Sequence, residues 1–274
     1  MTPRPLRAIT YLAPSIPERF FRIVADHVGE RLGGAELIVA SRISGPRIRD
    51  DPFELGEADL GFMCAPSLVL LRQSDNPSIE LVPVAPVFAD ERAAGHPVYF
   101  SDVVVRSDSD VARFDDLRGR TWAYNDALSL SGWHSALQRL STMGAGSEFF
   151  ASTVVAGSHL ESLRLVAEKR VDGAAIDSNV LIMERKRHPS RWGRVRVVES
   201  WGPFPIQPVV VRASLPAKTK AAIAGRLRGL HEAEAVELPA GIPFERFAPV
   251  SYDDYLASPA VLEAAARLAR DGLY

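Results

Sequence analysis

The sequence has a single cysteine, Cys64, and no long apolar run among its 274 residues. One cysteine excludes an intrachain disulfide, and Cys64 is expected to pack as a small apolar side chain. No window reaches 18 uninterrupted apolar residues, which excludes a membrane-spanning helix. The net charge is −2, and no basic cluster alternates with aromatic residues. A surface for nucleic acid or anionic membrane therefore has no support.

Motifs for metals and nucleotides are also missing. The six histidines show no H-x-H or H-E-x-x-H spacing, which argues against a metal site. There is no G-x-x-x-x-G-K loop, and no G-x-G-x-x-G motif opens a helix. The sequence therefore predicts no cofactor. With 47% hydrophobic residues, the chain has enough apolar side chain for one large or two medium domains.

The first residues of the sequence do not show the pattern of an export signal. Residues 1–7 run into a strand-like segment without an apolar leader region or a cleavage site. As written, the sequence predicts a cytoplasmic protein. If a leader has been removed, the same chain would be periplasmic.

Short apolar runs alternate with helical patterns, which is typical of an α/β fold. The predicted strands are 6–11, 36–40, 59–63, 79–84, 99–106, 121–124, 153–156, 173–177, 195–199 and 208–212. The predicted helices are 17–32, 66–73, 133–143, 159–168, 179–187, 216–233 and 259–273.

The segment before the helix predicted at 133–143 carries hydroxyls and a glycine, namely Ser129, Ser131 and Gly132. The first turn of a helix has free backbone N–H groups and the positive end of the helix dipole, so these residues can cradle a small oxyanion. A serine in this place also serves as a plain N-cap, and both interpretations stay open.

Several segments together resemble the phosphonate/phosphate solute-binding proteins of ABC transporters. They are GHPVYFSDVVVRSDS at 95–109, FDDLRGRTWAY at 114–124, SLSG at 129–132, His159 at a helix start, VDGAAIDS at 171–178 and, more weakly, FAPVSYDDY at 247–255. The resemblance covers roughly 79–255. It implies a two-lobed periplasmic-binding-protein fold with a ligand cleft between two α/β lobes. The implied lobes are 1–90 plus 208–274 and 91–207, with hinge crossings near 88–100 and 202–211 that allow closure on a ligand.

The resemblance also implies ligand contacts at Tyr99, Ser129, Ser131, His159 and Asp177, and Tyr11 is a further candidate from lobe one. Hydroxyls and helix N–H groups donate to phosphoryl oxygens, and a histidine adds a donor. A carboxylate beside a dianion is repulsive unless the ligand carries an ammonium or a protonated oxygen. Plainer roles remain possible, since the tyrosine at 99 fits a core strand, and the histidine and aspartate fit helix caps.

Two departures from the family pattern bear on the ligand. Leu130 stands where the family commonly has a hydroxyl, and Leu68 stands where it often has a tyrosine. Each lost hydrogen bond to a charged group is worth about 1.5 to 3 kcal/mol, so the cleft can instead suit a less polar anion such as a carboxylate.

The predicted function is capture of a small phosphonate- or phosphate-like anion for uptake through an ABC permease and its ATPase. The alternative is a cytoplasmic enzyme of the dehydratase or lyase kind, or a ligand sensor, on the same fold. Ser131, His159 and Asp177 supply the residue types of a Ser-His-Asp set, but the turn lacks the G-x-S-x-G elbow.

Overall fold

A computed structural model describes residues 4–233 and 237–270. The first three residues, and the last three residues of the helix predicted at 259–273, lie outside the described residues. Within the described residues, no helix combines the length and apolar character needed to cross a bilayer.

The strands and helices alternate along the chain. The strands are β1 (Leu6–Thr10), β2 (Ala35–Val39), β3 (Leu60–Phe62), β4 (Ile79–Leu81), β5 (Val84–Phe88), β6 (Val98–Arg106), β7 (Thr121–Tyr124), β8 (Ser152–Val155), β9 (Gly173–Asp177), β10 (Val195–Pro205), β11 (Val209–Arg212) and β12 (Phe244–Pro249). The helices are α1 (Glu18–Gly29), α2 (Ala65–Leu71), α3 (Ser135–Thr142), α4 (His159–Ala167), α5 (Ser178–Arg187), α6 (Pro189–Trp192), α7 (Ala217–Arg228), α8 (Tyr252–Leu256) and α9 (Pro259–Arg270).

Two five-stranded sheets form the centres of two lobes. The lobe-one sheet has the order β2-β1-β3-β11-β4, and the lobe-two sheet has the order β10-β6-β9-β7-β8. In lobe one, β1, β2 and β3 are parallel, whereas β11 is antiparallel to both of its neighbours. In lobe two, β7, β8 and β9 are parallel, and β6 is antiparallel to both β9 and β10. The predicted two-lobed α/β fold is confirmed.

Strands β3 and β9 are buried along their whole length, which explains why their residues are mostly small or apolar. In β9 all five residues are buried, and helices α4 and α5 contact it. A separate aromatic cluster fills the other side of the lobe-two sheet, where Phe114 stacks on Phe149 and Trp122 stacks on Phe150. The carboxyl ends of β7 and β9 are thereby fixed at one edge of the sheet, where open α/β sheets bind ligands.

The chain passes between the two large sheets at 89–97 and again at 206–208. These two crossings are joined by a hydrogen bond in which the Ile206 N–H donates to the Pro97 carbonyl at 2.9 Å. Both lie within the segments predicted as hinges. The strands of each large sheet also fall on the predicted side of the lobe limits, although those limits themselves stay a prediction.

Four of these elements were not predicted from the sequence. Strands β5 and β12, which pair with each other, were not predicted as separate strands, and neither were the short helices α6 and α8. Pro86 in β5 and Pro249 in β12 weaken the strand signal, but an antiparallel two-stranded ribbon tolerates proline on its free edges. Strand β10 also runs six residues beyond the predicted end at 199.

Candidate functional site

A small cavity of about 30 Å³ lies between the lobes, at the carboxyl ends of β1, β7 and β9. Both lobes supply its walls. From lobe one and the second crossing come Tyr11, Leu12, Ala13, Ser15, Ile16, Arg42, Ile43, Ser44, Cys64 and Gln207, and from lobe two come Asn125, Asp126, Ser129, Ser131, Gly157, Ser158, His159, Asp177 and Val180. The structure thus brings five predicted residues together here: Tyr11, Ser129, Ser131, His159 and Asp177.

The predicted anion-binding turn starts with a π-helical turn, Leu130–His134, that runs into α3. Ser129 is its N-cap, and its hydroxyl accepts a hydrogen bond from the Gly132 N–H at 3.0 Å. The capping role that the sequence left open for Ser129 is therefore present. Gly132 is absent from the cavity walls, and a Cβ at this position would overlap the amide oxygen of Asn125.

Ser131 and His159 face each other across the lobe-two side of the cavity, with Ser131 Oγ 3.3 Å from His159 Nε2. His159 is the first residue of α4, whereas the capping hydroxyl of that helix belongs to Ser158, which accepts from the Glu161 N–H. Burial lowers the pKa of His159 to about 4. The imidazole is therefore neutral near pH 7 and offers one donor and one acceptor.

Asp177 ends β9 and caps α5, since its Oδ1 accepts from the Asn179 N–H at 2.8 Å. Its Oδ2 accepts from Gln207 Nε2 at 2.5 Å. Burial raises the pKa of Asp177 to about 7, although these two hydrogen bonds act in the opposite direction. Asp177 therefore both caps α5 and lines the cavity between the lobes.

The two tyrosines differ in position. Tyr11 is a wall residue, and burial together with the charge of Asp51 raises its phenol pKa. Tyr99 is almost fully buried in the core, where its ring centroid lies 5.9 Å from that of Phe204, and it is absent from the walls. The plainer interpretation of Tyr99 as a core strand aromatic describes its packing, and its ligand contact stays a prediction.

Several wall residues were not predicted. Ser44, Asn125, Asp126 and Gln207 are all buried and polar. Asn125 and Asp126 directly precede the predicted turn, so their position after a buried strand was a usable signal. Ser44 lies in the loop between β2 and β3, and Gln207 lies in the second crossing, where no periodic pattern marks a side chain.

Hydrogen bonds join the lobes around the cavity. The Leu130 N–H donates to Cys64 Sγ at 3.3 Å, and the His159 N–H donates to Ser15 Oγ at 3.0 Å. Ser44 Oγ donates to Asp126 Oδ2 at 2.5 Å. The lobes are therefore closed on each other, and the cavity is as small as it is because of these contacts.

The electrostatics of the walls are unusual for an anion site. Two wall carboxylates, Asp126 and Asp177, are buried, while the one arginine among the wall residues, Arg42, is exposed. Burial also raises the pKa of Asp126. A ligand oxyanion in this cavity would therefore meet neutral hydroxyl and imidazole donors, because the N–H groups of Leu130, Gly132 and His159 are already bonded to other atoms. Among the described residues, no group of three or more His, Cys, Asp or Glu side chains is arranged to hold a metal ion.

The residue types of a Ser-His-Asp set come close together without forming a relay. Ser131 contacts His159, but the carboxylate of Asp177 is engaged by Asn179 and Gln207. A catalytic triad requires the carboxylate to hold the imidazole in place. Ser131, His159 and Asp177 therefore do not form a catalytic triad.

Comparison with known proteins gives one family and one fold. A sequence model of the family described as "ABC transporter, phosphonate, periplasmic substrate-binding protein" matches residues 19–255. Among solved structures, a binding-protein component of an ABC phosphonate transporter from Pseudomonas aeruginosa is 16% identical, with a TM-score of 0.75, covering 96% of this chain and 87% of that one.

Two further structures share the fold. PhnD1 from Prochlorococcus marinus, in complex with methylphosphonate, is 15% identical with a TM-score of 0.77, covering 97% of this chain and 98% of that one. A Xanthomonas citri protein bound to ATP is 18% identical with a TM-score of 0.68, covering 97% of each chain. At these identities the structural likeness establishes the fold, and the same fold holds ligands of very different size.

Proposed function

The chain belongs to the family of periplasmic substrate-binding proteins of phosphonate ABC transporters, and we propose that its interlobe cavity captures a small phosphonate- or phosphate-like oxyanion. It is a solute-binding protein. The observation that carries the choice of ligand is the Ser131–His159 pair, which lies beside the turn Leu130–His134 in a cavity with walls from both lobes.

Cavity size supports a small ligand. The cavity volume is about 30 Å³, a little more than the roughly 10 to 15 Å³ that a single water molecule needs. Modest opening of the lobes makes room for a group of a few heavy atoms, which is much smaller than the ATP held by the Xanthomonas citri protein. The methylphosphonate held by PhnD1 is the better guide to ligand size.

We propose that Ser131, His159 and Tyr11 contact the oxyanion directly. Their hydroxyl and imidazole groups are the donors that phosphoryl oxygens accept. Ser129 supports this contact by capping the turn, and Gly132 supports it by allowing Asn125 to approach the backbone. Leu130 adds no hydroxyl, so its contribution to the turn is the backbone N–H that bonds to Cys64.

Asp177 determines what else the ligand must carry. Its pKa of about 7 means that it is partly protonated at neutral pH. A protonated Asp177 can donate to a ligand oxygen, and an ionised Asp177 can accept from a ligand ammonium. The ligand therefore carries either a plain phosphonate or phosphate oxygen towards this side chain, or an amino group as in an aminoalkylphosphonate.

Membership of the family implies a transport partner and a compartment. We propose that this chain works in the periplasm and hands its ligand to an ABC permease that is driven by an ATPase. The expectation of a cytoplasmic protein, drawn from residues 1–7, is replaced in this proposal by the compartment of the family.

The proposed ligand class is tested by a thermal-shift screen with methylphosphonate, 2-aminoethylphosphonate, phosphate, phosphite, sulfate and acetate. A ligand at 100 times its Kd adds about 2.7 kcal/mol to stability. For a chain of this length, each kcal/mol raises the melting temperature by roughly 2 to 4 °C. We expect a phosphonate or phosphate to give the largest shift.

Substitutions in the cavity test whether the ligand that raises the melting temperature binds there. Ser131→Ala and His159→Ala should each remove most of the shift, whereas Ser141→Ala, an exposed serine on α3, should keep it. If both cavity variants retain the full shift, the assignment of these two contacts is wrong. If sulfate or acetate gives the largest shift, the ligand class is wrong.

A further inference from the structure

The two lobes meet at a buried polar contact beside the cavity, formed by Ser44 of lobe one with Asn125 and Asp126 of lobe two. These three residues are called the interlobe clasp. Ser44 Oγ donates to Asp126 Oδ2 at 2.5 Å, and the Ser44 N–H donates to Asp126 Oδ1 at 3.2 Å. The amide Nδ2 of Asn125 donates to Asp126 Oδ2 at 2.9 Å and to Ser44 Oγ at 3.3 Å.

Burial distinguishes the clasp from an ordinary surface contact. Ser44, Asn125 and Asp126 are each at most 7% exposed. Hydrogen bonds to a charged group are among the stronger ones in proteins, and a buried carboxylate needs its donors. Opening the lobes would take away both donors that Ser44 supplies, while leaving those from within lobe two.

Asp126 also shapes the segment from Ser129 to His134, which is called the solute-binding turn. Asp126 Oδ1 accepts from the Leu128 N–H at 2.9 Å, and the Ser129 N–H donates to the Asp126 carbonyl at 3.3 Å. Asp126 is therefore connected at once to lobe one and to the segment that presents Ser131. Asn125, the other lobe-two member of the clasp, lies directly against Gly132 in that segment.

We propose that the interlobe clasp holds the cavity shut, and that Asp126 is a positioning residue that couples closure to the shape of the solute-binding turn. The proposal rests on the proposed function, because it concerns the same cavity. The clasp residues also line the cavity, but their proposed role is in closure and in the shape of the turn, whereas Ser131 and His159 are the proposed direct contacts.

Cys64 provides a readout of opening that needs no ligand. It is the only cysteine in the chain, it is 4% exposed, and its sulfur accepts from the Leu130 N–H of the opposite lobe. Burial raises the pKa of the Cys64 thiol to about 12, so the closed form is unreactive. Alkylation of Cys64 by N-ethylmaleimide in the native protein therefore measures how often the lobes separate.

The decisive measurement is the alkylation rate of the ligand-free protein. We expect Ser44→Ala to raise it by about tenfold, the effect of losing one hydrogen bond to a charged group. Asp126→Asn keeps an oxygen for the Leu128 N–H and is expected to raise the rate similarly. In the double variant, the increase in alkylation rate should be much smaller than the product of the two single increases, because both changes break the same contact. Ser41→Ala, at an exposed serine in the same loop, should leave the rate unchanged.

Urea titration separates unfolding from opening. The urea concentration at the unfolding midpoint of Ser44→Ala should lie close to that of the wild-type protein. An unchanged alkylation rate in Ser44→Ala, or a double variant whose effect equals the product of the single ones, would overturn the proposal. If Asp126→Asn fails to fold, Ser44→Ala decides alone.

Methylphosphonate separates the clasp from the ligand assignment. If the clasp variants accelerate alkylation while methylphosphonate and the other screened anions protect no form of the protein, the clasp holds and the ligand assignment fails. If methylphosphonate protects the wild-type and Ser44→Ala proteins equally, with equal dissociation rates, the clasp proposal fails and the ligand assignment holds. With both correct, Ser44→Ala releases methylphosphonate faster and binds it at an unchanged association rate.

Discussion

At the scale of single residues, His159 and Asp177 show how burial moves two pKa values in opposite directions within one cavity. Desolvation disfavours the charged form of each group, so it lowers the pKa of the imidazole to about 4 and raises the pKa of the carboxyl to about 7. Both side chains are therefore largely uncharged just below neutral pH. That state suits a site that must present neutral donors to an anion.

The opposite shifts predict opposite pH dependences of stability. Between pH 3.8, the ordinary pKa of an aspartate, and about pH 7, Asp177 holds a proton in the folded chain but not in the unfolded chain. Its contribution to the free energy of unfolding therefore falls as pH rises through that window. His159 in the folded chain lacks a proton between about 4 and its ordinary value of 6.5, so its contribution rises with pH there. The two contributions partly cancel.

Urea unfolding between about pH 4.5 and pH 7.5 checks this through variants. Relative to wild type, Asp177→Asn should become more stable as pH rises, and His159→Gln should become more stable as pH falls. The expected size is on the order of 1 kcal/mol per pH unit of window, below the full 1.36 kcal/mol. A difference between variant and wild type that does not change with pH contradicts the burial of that group.

Ser129 and Ser131 are two residues apart, yet their substitutions should act on different quantities. Ser129→Ala removes a cap hydroxyl from the Gly132 N–H, which costs about 0.5 to 2 kcal/mol of stability. Ser131→Ala removes a hydroxyl that faces His159 and the cavity, so its main effect is on ligand affinity. Urea denaturation measures the stability of both variants, and ligand titration measures their affinity. The prediction is wrong if Ser131→Ala is less stable than Ser129→Ala.

At the scale of elements, short apolar runs predicted the buried strands well, because strands that are buried on both faces are apolar along most of their length. The strands β7 and β9 have the predicted ends, and a helix follows each buried strand that delivers a residue to the cavity. Proline hid β5 and β12, whose partner is a distant segment rather than a local pattern. The sequence predicted Tyr11 and four lobe-two residues that lie in the cavity walls, and their ligand contacts stay predictions. It did not predict Ser44 and Gln207, which only the three-dimensional fold brings to Asp126 and Asp177.

The turn at Leu130–His134 should tolerate no side chain at Gly132. A methyl group there would overlap Asn125, which the interlobe clasp holds in place. Gly132→Ala should therefore lower stability by about 1 to 3 kcal/mol, the usual cost of overpacking, and weaken ligand binding. Thermal unfolding with and without methylphosphonate measures both effects.

Gly225 in α7 is the matched control for that substitution. A Cβ at Gly225 would meet no heavy atom within 4 Å, and the position lies inside a regular helix. Gly225→Ala should stabilise the protein by about 0.5 to 1 kcal/mol, because alanine loses less backbone entropy. A loss of stability here would mean that the surroundings of α7 differ from those described.

At the scale of the whole molecule, the contacts divide into those that close the cavity and those that hold the crossings. The interlobe clasp and the Cys64–Leu130 contact join residues whose lobes must separate for a solute to enter. Near the first crossing, by contrast, Arg92 donates through its guanidinium to Asp90 and Asp102, and its plane lies over Phe100. Helix α9 packs on α2 of lobe one and also contacts α3 of lobe two, so closure has to occur around it.

Arg92 therefore belongs to the fixed part of the molecule, and its substitution should affect folding more than ligand capture. Arg92→Lys keeps one charge but loses the planar fork that reaches two buried carboxylates, Asp90 and Asp102. We expect a loss of about 1 to 3 kcal/mol in the free energy of unfolding, slightly below the range for hydrogen bonds to charged groups because the Arg92 side chain is 40% exposed. The ligand-induced thermal shift and the alkylation rate of Cys64 should stay those of the wild type. An unchanged stability together with a changed alkylation rate would place Arg92 among the contacts that govern closure, and the pivot would then have to be sought in the second crossing, at 206–208.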